Sequence, residues 1–580
     1  MLTRLFNELF SSARRSQRAV PAQPRSTEAL EHMQRGDLLR KRGELEAAIA
    51  AYREALSVDN ELADAWFGMG LCSYRGNDLA PAHLYMRTAH TLRPRDADIL
   101  NELGLVEHAF GNLSCAQATF EEAANANPEH PEAWNNLGMI YAGRGRVRQA
   151  KRCFLRAVSI RPAFYTALCN LALACQQVEQ LDEAEAHLRA AIAARPEQHE
   201  AWLSLGTVLQ DEGRLEEARG ACEHGVRLSK GQADAHTALA GVLYRLGEMG
   251  SAEREYRSAL AGDPTHAEAG LGLAQLLIAQ ARFAEGWDLY EARLRSTGSP
   301  VRHFPYPACQ GPVSGRNVLV YGEQGAGEEI LFASCLPELL RDASGMHYVC
   351  NPRLEVLLRR SFPGLALIDE TDAMRASPSD APRFDCSMPV GSLFRLYRRS
   401  AAQFPSHQGY LVADAERVAR WRERLAGLRG KRVFGIAWRG GRASTGRALR
   451  SLEPQDLAPL LGVPGCAWVC LQADATAQEL ETLRAAGTPL EHWPQAHADL
   501  DETAALICAL DGSVAVTSTV VHLGGALGRP VWVLTPFATT WRYLSEGSEL
   551  PWYPSVRLFR QGRVEQWSEV VARVAEALHG

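Results

Sequence analysis

"AWNNLGMIYAGRGRVRQAKRCFLRAVSIRP", residues 133–162, decides the fold of the first half. An apolar stripe at helical spacing runs into a glycine-containing turn, a second stripe follows, and a proline closes the unit. The same unit recurs on both sides of it. Prolines at 94, 128, 162, 196 and 264 keep a 34-residue register, with one slot taken by Lys230. Trp66, Trp134 and Trp202 share one position, which Leu100 and Leu168 fill between them. Gly70, Gly104, Gly138 and Gly206 share another, and Ala82, Ala116, Ala150, Ala184, Ala218 and Ala252 a third.

The physics is that of a helix–turn–helix repeat. A large residue anchors the first helix, a small one lets the second approach closely, and proline ends the unit where no helical hydrogen bond is required. A single pair cannot bury its apolar face, so the units stack into a solenoid. Residues 27–296 resemble the tetratricopeptide repeat family, with seven or eight units and degenerate units at each end. The resemblance implies a concave groove for a peptide or protein. Asn101, Asn135, Asn136 and Asn170 fall near one slot, where amides suit an extended peptide backbone; the ordinary reading is solvated surface asparagine.

Composition bounds the rest. At 580 residues, 46% hydrophobic and 22% charged, the chain reads as several globular units. A net charge of -6 argues against a nucleic-acid protein held by bulk electrostatics. Thirteen cysteines without metal-ligand spacing read as reduced thiols. No apolar run is long enough to span a bilayer. Residues 1–26 carry Leu2, Leu5, Phe6, Leu9 and Phe10 at helical spacing with Arg4, Arg14, Arg15 and Arg18 around them. They read as a docking helix and linker, or as a weak foothold on an anionic membrane face. The expected location is cytoplasmic, with a peripheral position on the inner face of the membrane as the variant.

Past residue 297 the 34-residue register stops. Buried apolar runs ("NVLVYGE", "MHYVCN", "LALID", "VFGIAWRG", "AWVCLQ", "SVAVTST", "PVWVLTP") alternate with amphipathic segments, which implies parallel sheets in βα units. Two such sets divide the region into Rossmann-like halves, 297–428 and 429–580, whose strand ends face one cleft. The expected architecture is therefore an all-α solenoid followed by an α/β fold of the GT-B type.

Four stretches carry a more specific likeness. They are "YGEQGAGEEILFASCLPEL", "GIAWRGGRASTGRALRSLEPQDLAPLL", "DLDETAALICALDGSVAVTSTVVHLGGALGRPVWVLTPFATTWRYL" and "PWYPSVRLFRQ". With their order and spacing, the second half resembles the ADP-heptose:lipopolysaccharide heptosyltransferase-like glycosyltransferases, in the version fused behind bacterial repeat arrays. The resemblance implies a metal-independent inverting transfer from a nucleotide-diphosphate sugar, with no cofactor. It implies Glu328 as the general base, one methylene longer than the family's aspartate, on an acceptor-side turn with Gly325 and Gly327. Glu329 is a rival for that role, and a helix-capping acid is the plain alternative for Glu328.

Thr517, Ser518 and Thr519 lie between a strand and a helix, where backbone N–H groups and hydroxyls can meet phosphate oxygens. His522 matches the histidine of the family's motif there, whereas Thr517 stands where the family has aspartate. Arg439 follows the first strand of the second half, and glycines after it let backbone approach a ligand. Arg450 matches the family's basic residue, with Arg447 a possible substitute, and a solvated basic loop is the alternative reading. Gln472 and Glu502 are expected at the base and ribose, although Glu502 also suits a helix N-terminus. "DLD" at 499–501 formally matches a metal-binding triplet but precedes a helix in the half where the fold needs no metal.

Two functions follow. One is a glycosyltransferase acting on a protein that the repeats recruit. The other is a non-catalytic tetratricopeptide adaptor whose transferase half is degenerate.

Overall fold

In the computed structural model, residues 27–296, 302–374, 384–428, 430–441, 450–485, 490–562 and 567–579 are described. The amphipathic segment 1–26 and Arg447 lie outside them. The chain forms two compact units, one ending at Ala194 and the next beginning at Arg195.

The first unit holds five helix pairs, from α1 (Thr27–Lys41) to α10 (Leu181–Ala194). Each repeating residue does the job its type predicts. The indoles of Trp66 and Trp134 donate to the carbonyls of Asn60 and Pro128, both at 3.0 Å, fixing the turn that enters each first helix. A methyl added at Gly70, Gly104 or Gly138 would stand 2.9, 2.6 or 2.5 Å from Met86, Phe120 or Phe154, so only glycine lets that side chain in. Ala82, Ala116, Ala150 and Ala184 are fully buried at the close approach.

The asparagines correct the reading of solvated surface amides. Asn170 Nδ2 donates to Asn135 Oδ1 at 3.0 Å, Asn135 Nδ2 to Asn136 Oδ1 at 3.3 Å, and Asn136 Nδ2 to Asn101 Oδ1 at 2.9 Å. Asn101 and Asn135 are buried, Asn136 and Asn170 half-buried. Asparagines one register step plus one residue apart (35 residues) on successive first helices come within amide reach, so the repeat itself builds the chain of amides.

The second unit opens with three more pairs, from α11 (His199–Asp211) to α16 (Phe283–Tyr290), and continues into two sheets. The first sheet is parallel, ordered β3-β2-β1-β4, with β1 (Asn317–Tyr321), β2 (Gly345–Val349), β3 (Ala366–Leu367) and β4 (Cys386–Pro389). The second is ordered β10-β11-β9-β8-β5-β6-β7. Its strands are β5 (Arg432–Ala437), β6 (Cys466–Cys470), β7 (Leu490–Glu491), β8 (Gly512–Val516), β9 (Val531–Thr535), β10 (Glu549–Leu550) and β11 (Tyr553–Arg560). Only β10 runs antiparallel to its neighbour. In both sheets the chain steps outward from a central strand and then returns to that strand's other side, so β1/β4 and β5/β8 are switch points where ligands bind in such folds.

The last repeat is part of the core of these sheets. Phe283, Trp287 and Tyr290 of α16 lie in one buried cluster with Phe332, Phe394, Trp541 and Trp552. Trp287 meets the rings of Phe394 and Trp541 edge-on at 5.1 and 5.5 Å. Truncating such a side chain costs about 3–5 kcal/mol.

One cysteine expectation fails. Cys309 and Cys386 form a disulfide, with Cα atoms 5.0 Å apart. Ser387 N donates to Pro307 O at 2.8 Å and Cys309 N to Ser387 O at 2.9 Å, so residues 307–309 lie along β4 and bring the two thiols together. A separation of 77 residues hides that adjacency from the sequence. The other eleven cysteines form no disulfide. Among the described residues no helix is long and apolar enough to cross a membrane.

Candidate functional site

Two short helices face each other at the switch points. α17 (Ala326–Ala333) follows β1 and α26 (Thr519–Ala526) follows β8. They touch at Gly327, where an added methyl would stand 3.0 Å from His522 Cδ2. The segment before α22 (Ala415–Arg424) pins both: Tyr410 OH donates to Ile330 O at 2.8 Å, and the Tyr410 and Leu411 amides donate to Ala526 O at 2.7 and 2.9 Å.

The three carboxylates of "YGEQGAGEEI" have three different fates. Glu323 accepts from Arg293 Nη2 at 2.7 Å and Nε at 2.9 Å, and from Gly391 N at 2.9 Å, which ties the turn after the last repeat to the first sheet. Glu329 is buried beneath the turn, accepting from Tyr348 OH and Asn351 N, both at 2.8 Å. Burial pushes its carboxyl up, so it serves the fold and does not face the cleft as a rival base. Glu328 alone is left at the cleft, half-buried in the first turn of α17, with Gly325 as the N-cap before it.

Glu328 is paired with Arg542, which stands in the turn Trp541–Tyr543 after β9. Burial pushes the Glu328 carboxyl up, but the Arg542 guanidinium outweighs burial and holds it below the usual range. Arg542 stacks over Trp541, 4.8 Å from the ring centre. His522 is buried and neutral: burial pulls it down to about 4, and Nδ1 sits 3.1 Å from Tyr553 OH. His522 therefore supports the helix junction with an uncharged ring.

On the other side of the cleft, Thr517 is 3% exposed, and neither its hydroxyl nor that of Ser518 has a partner among the described residues. Ser518 is the N-cap of α26 and Thr519 its exposed first residue, so free N–H groups open beside those hydroxyls. A methyl on Gly440 would stand 2.3 Å from Thr517 O, which is how closely the ends of β5 and β8 approach. Thr539, Thr540 and Tyr543 hydroxyls and Arg542 Nε are likewise buried without a partner among the described residues. Arg450 is drawn below its ordinary value by burial and by the charges of Arg542 and Arg245, a residue of the repeat helix α13 (Ala233–Arg245). The neighbouring Tyr244 OH donates to Thr539 O at 2.9 Å, so a repeat helix forms part of this wall. Glu328, the three arginines Arg542, Arg450 and Arg245, and several hydroxyls without partners among the described residues are thus gathered around the turn after β9 and the start of α26.

The remaining predicted residues are engaged elsewhere. Arg439 Nε lies 3.0 Å from Glu479, and Nη2 donates to Asp474 O at 2.6 Å. Gln472 is buried, accepting from Arg439 N at 3.0 Å and donating to Asp474. Both hold the loop after β5 to the loop after β6. Glu502, in α25 (Leu500–Ala509), accepts from Arg417 of α22 at 2.7 Å. In the "DLD" triplet, Asp499 caps α25 and Asp501 takes two bonds from Arg360 at 2.6 and 2.8 Å, so these acids join the halves. Among the described residues Cys175, Glu183 and His187 bring possible metal-ligand atoms within 4.8 Å, but the Lys151 ammonium already holds Glu183 at 2.7 Å. Sequence reading passed over Arg542, Tyr543 and Arg245. The signal available for the first two was "TTWRYL", a cation and an aromatic just past a predicted central strand.

Family models match stretches within residues 36–300. The family model for the C-terminal domain of cilia and flagella-associated protein 70 matches residues 100–300, and a TPR repeat model matches residues 36–75. The N-terminal half is a tetratricopeptide repeat array. Protein FlbA of Caulobacter vibrioides is 32% identical over 326 residues, covering 53% of this chain and 54% of FlbA. The chain thus spans about half the length of that curated relative. Among solved structures, YrrB, a TPR protein with an unusual peptide-binding site, is 25% identical and covers 30% of this chain and 89% of its own, with a TM-score of 0.26. MamA is 22% identical, covering 28% of this chain and 94% of its own, also with a TM-score of 0.26. In the repeat array of this chain the last three helix pairs belong to the same compact unit as the two sheets.

Proposed function

We propose that the second unit is a metal-independent inverting glycosyltransferase that takes a nucleotide-diphosphate sugar as donor and a protein as acceptor. The observation that carries this is the unpartnered Thr517 and Ser518 hydroxyls at the N-terminal turn of α26, in a wall that also holds Arg542, the partner of Glu328. The acceptor hydroxyl gives its proton to Glu328 and its oxygen bonds to the anomeric carbon from the face opposite the leaving group. The bond from that carbon to the diphosphate breaks as the charge develops against Arg542, Arg450 and the α26 turn. The half-buried amides of Asn136 and Asn170 support a protein acceptor, since part of each remains open to an extended backbone. A nucleotide-sugar donor calls for a cytoplasmic reaction, and the N-terminal segment for a peripheral membrane contact at most.

A second reading has its own support. Arg439, expected on the diphosphate, is committed to Glu479 and Asp474, and Glu328 is already neutralised by Arg542. These pairs suit an adaptor whose transferase half only folds.

Intact-mass spectrometry of proteins from cells carrying either the native gene or its Glu328→Gln version separates the two. A protein that carries a sugar increment only with the native gene supports the enzyme. Identical mass spectra, with both versions of the protein present at equal level, support the adaptor.

A further inference from the structure

Arg542 holds the carboxylate that the proposed reaction needs free. Its Nη2 bonds Glu328 Oε1, while its Nε is buried without a partner among the described residues. The guanidinium is thus half used, and the wall around it is rich in groups that want an anion. The hydroxyls of Thr539, Thr540 and Tyr543 lie in the same turn region, and Arg450 is electrostatically coupled to Arg542. The stem of Arg542 is anchored by stacking on Trp541, itself 2% exposed in the aromatic cluster of the last repeat. Such an arginine can exchange one anionic partner for another by a rotation of its head, with little movement of backbone.

We propose that Arg542 is an exchangeable clamp: it holds Glu328 in the resting protein and passes to the donor's diphosphate on binding, so that the carboxylate is released as a base only when the donor is in place. This rests on the glycosyltransferase reading and names the residue that couples its two halves. Burial of Glu328, no longer offset by a cation, then raises its proton affinity, which suits it to take the proton from the acceptor hydroxyl. Without donor the carboxylate stays neutralised, and water is not activated at the acceptor side.

The test is a double-mutant cycle on anion binding, read by calorimetry on the full chain with inorganic pyrophosphate and with UDP, GDP and ADP as probes. Glu328→Gln removes the competing partner and tightens binding of the preferred probe about tenfold, a coupling within the usual range between linked sites. Arg542→Gln weakens binding, and in the Arg542→Gln background Glu328→Gln gives less than a twofold gain. Arg542→Lys restores part of the affinity, a rescue that a purely packing role would not give. If the native chain binds a probe but the Glu328→Gln gain is equal in both backgrounds, the exchange is overturned and the transferase reading stands. If no probe binds to any of the four folded proteins, the transferase reading falls and the exchange with it.

Discussion

Arg293, on the turn that closes the last repeat, is 1% exposed and holds Glu323, just past β1, through two nitrogens at 2.9 and 2.7 Å. The same guanidinium takes Glu291 at 2.7 Å and Ser392 Oγ at 3.0 Å, so one cation joins the repeats to the chain just past β1 and just past the edge strand β4 of the first sheet. Breaking such a buried pair by removing one partner costs about 3–5 kcal/mol, because the other charge stays buried and unpaired. Arg293→Ala is expected to lower hydrogen-exchange protection in α16 and β1 together. Loss of protection in only one of them would show that the two are not one cooperative body.

Glu328 and Glu329 are neighbours with opposite expected consequences. Glu329→Gln keeps an oxygen for Tyr348 and Asn351 and removes a charge that burial disfavours, so stability should change by about 1 kcal/mol or less and sugar transfer should persist. Glu328→Gln should leave the melting profile near that of the parent and abolish transfer. Thermal melts with transfer assays on both variants check this.

Much of this was legible in the sequence because it is periodic. A 34-residue register announces the repeats through Trp134, Gly138, Ala150 and Pro162, each forced by sterics or backbone hydrogen bonding at one spot. The parallel sheets were legible as short buried runs, except β4 and β7, which are brief, and β11, whose eight residues are broken by exposed positions and Pro554. The site was legible only in outline. Thr517, Ser518 and Glu328 sit where strand-to-helix turns put them, which local sequence specifies. Glu479 for Arg439, the Arg439 amide for Gln472 and Arg417 for Glu502 all lie more than 30 residues away in sequence, and no local pattern reports which arginine is already satisfied. Arg542 was hidden for the same reason, its partner Glu328 lying 214 residues earlier.

Acid should unfold the second unit partly through His522. Burial lowers its folded value to about 4, below the 6.5 of an open histidine, so the unfolded chain binds the extra proton first. The stability tied to its neutral ring is complete above about pH 6.5 and is lost as pH falls toward 4, on the order of 3 kcal/mol in all. Glu328, also held below its ordinary value, acts in the same direction at lower pH. Replacing the ring by His522→Gln should flatten the fall in melting temperature between pH 6.5 and 4. An unchanged slope would mean that other groups govern the acid limb.

Gly440→Ala tests the close approach at the switch point. Its methyl would meet the carbonyl of Thr517 at 2.3 Å, and backbone at the end of a central strand has nowhere to retreat. The substitution is expected to cost about 1–3 kcal/mol and to weaken nucleotide binding by shifting the Thr517–Ser518 turn. Denaturant melts and nucleotide titrations on the variant read both effects.

On the proposed transferase function, the ends of β5, β8 and β9 take a nucleoside diphosphate. Isothermal titration of the purified full chain with UDP, GDP and ADP, without added metal, tests it most directly. One-to-one binding of at least one of them is expected, lost in Arg542→Ala and weakened in Thr517→Val. Absence of binding by all three to the folded native chain would contradict it.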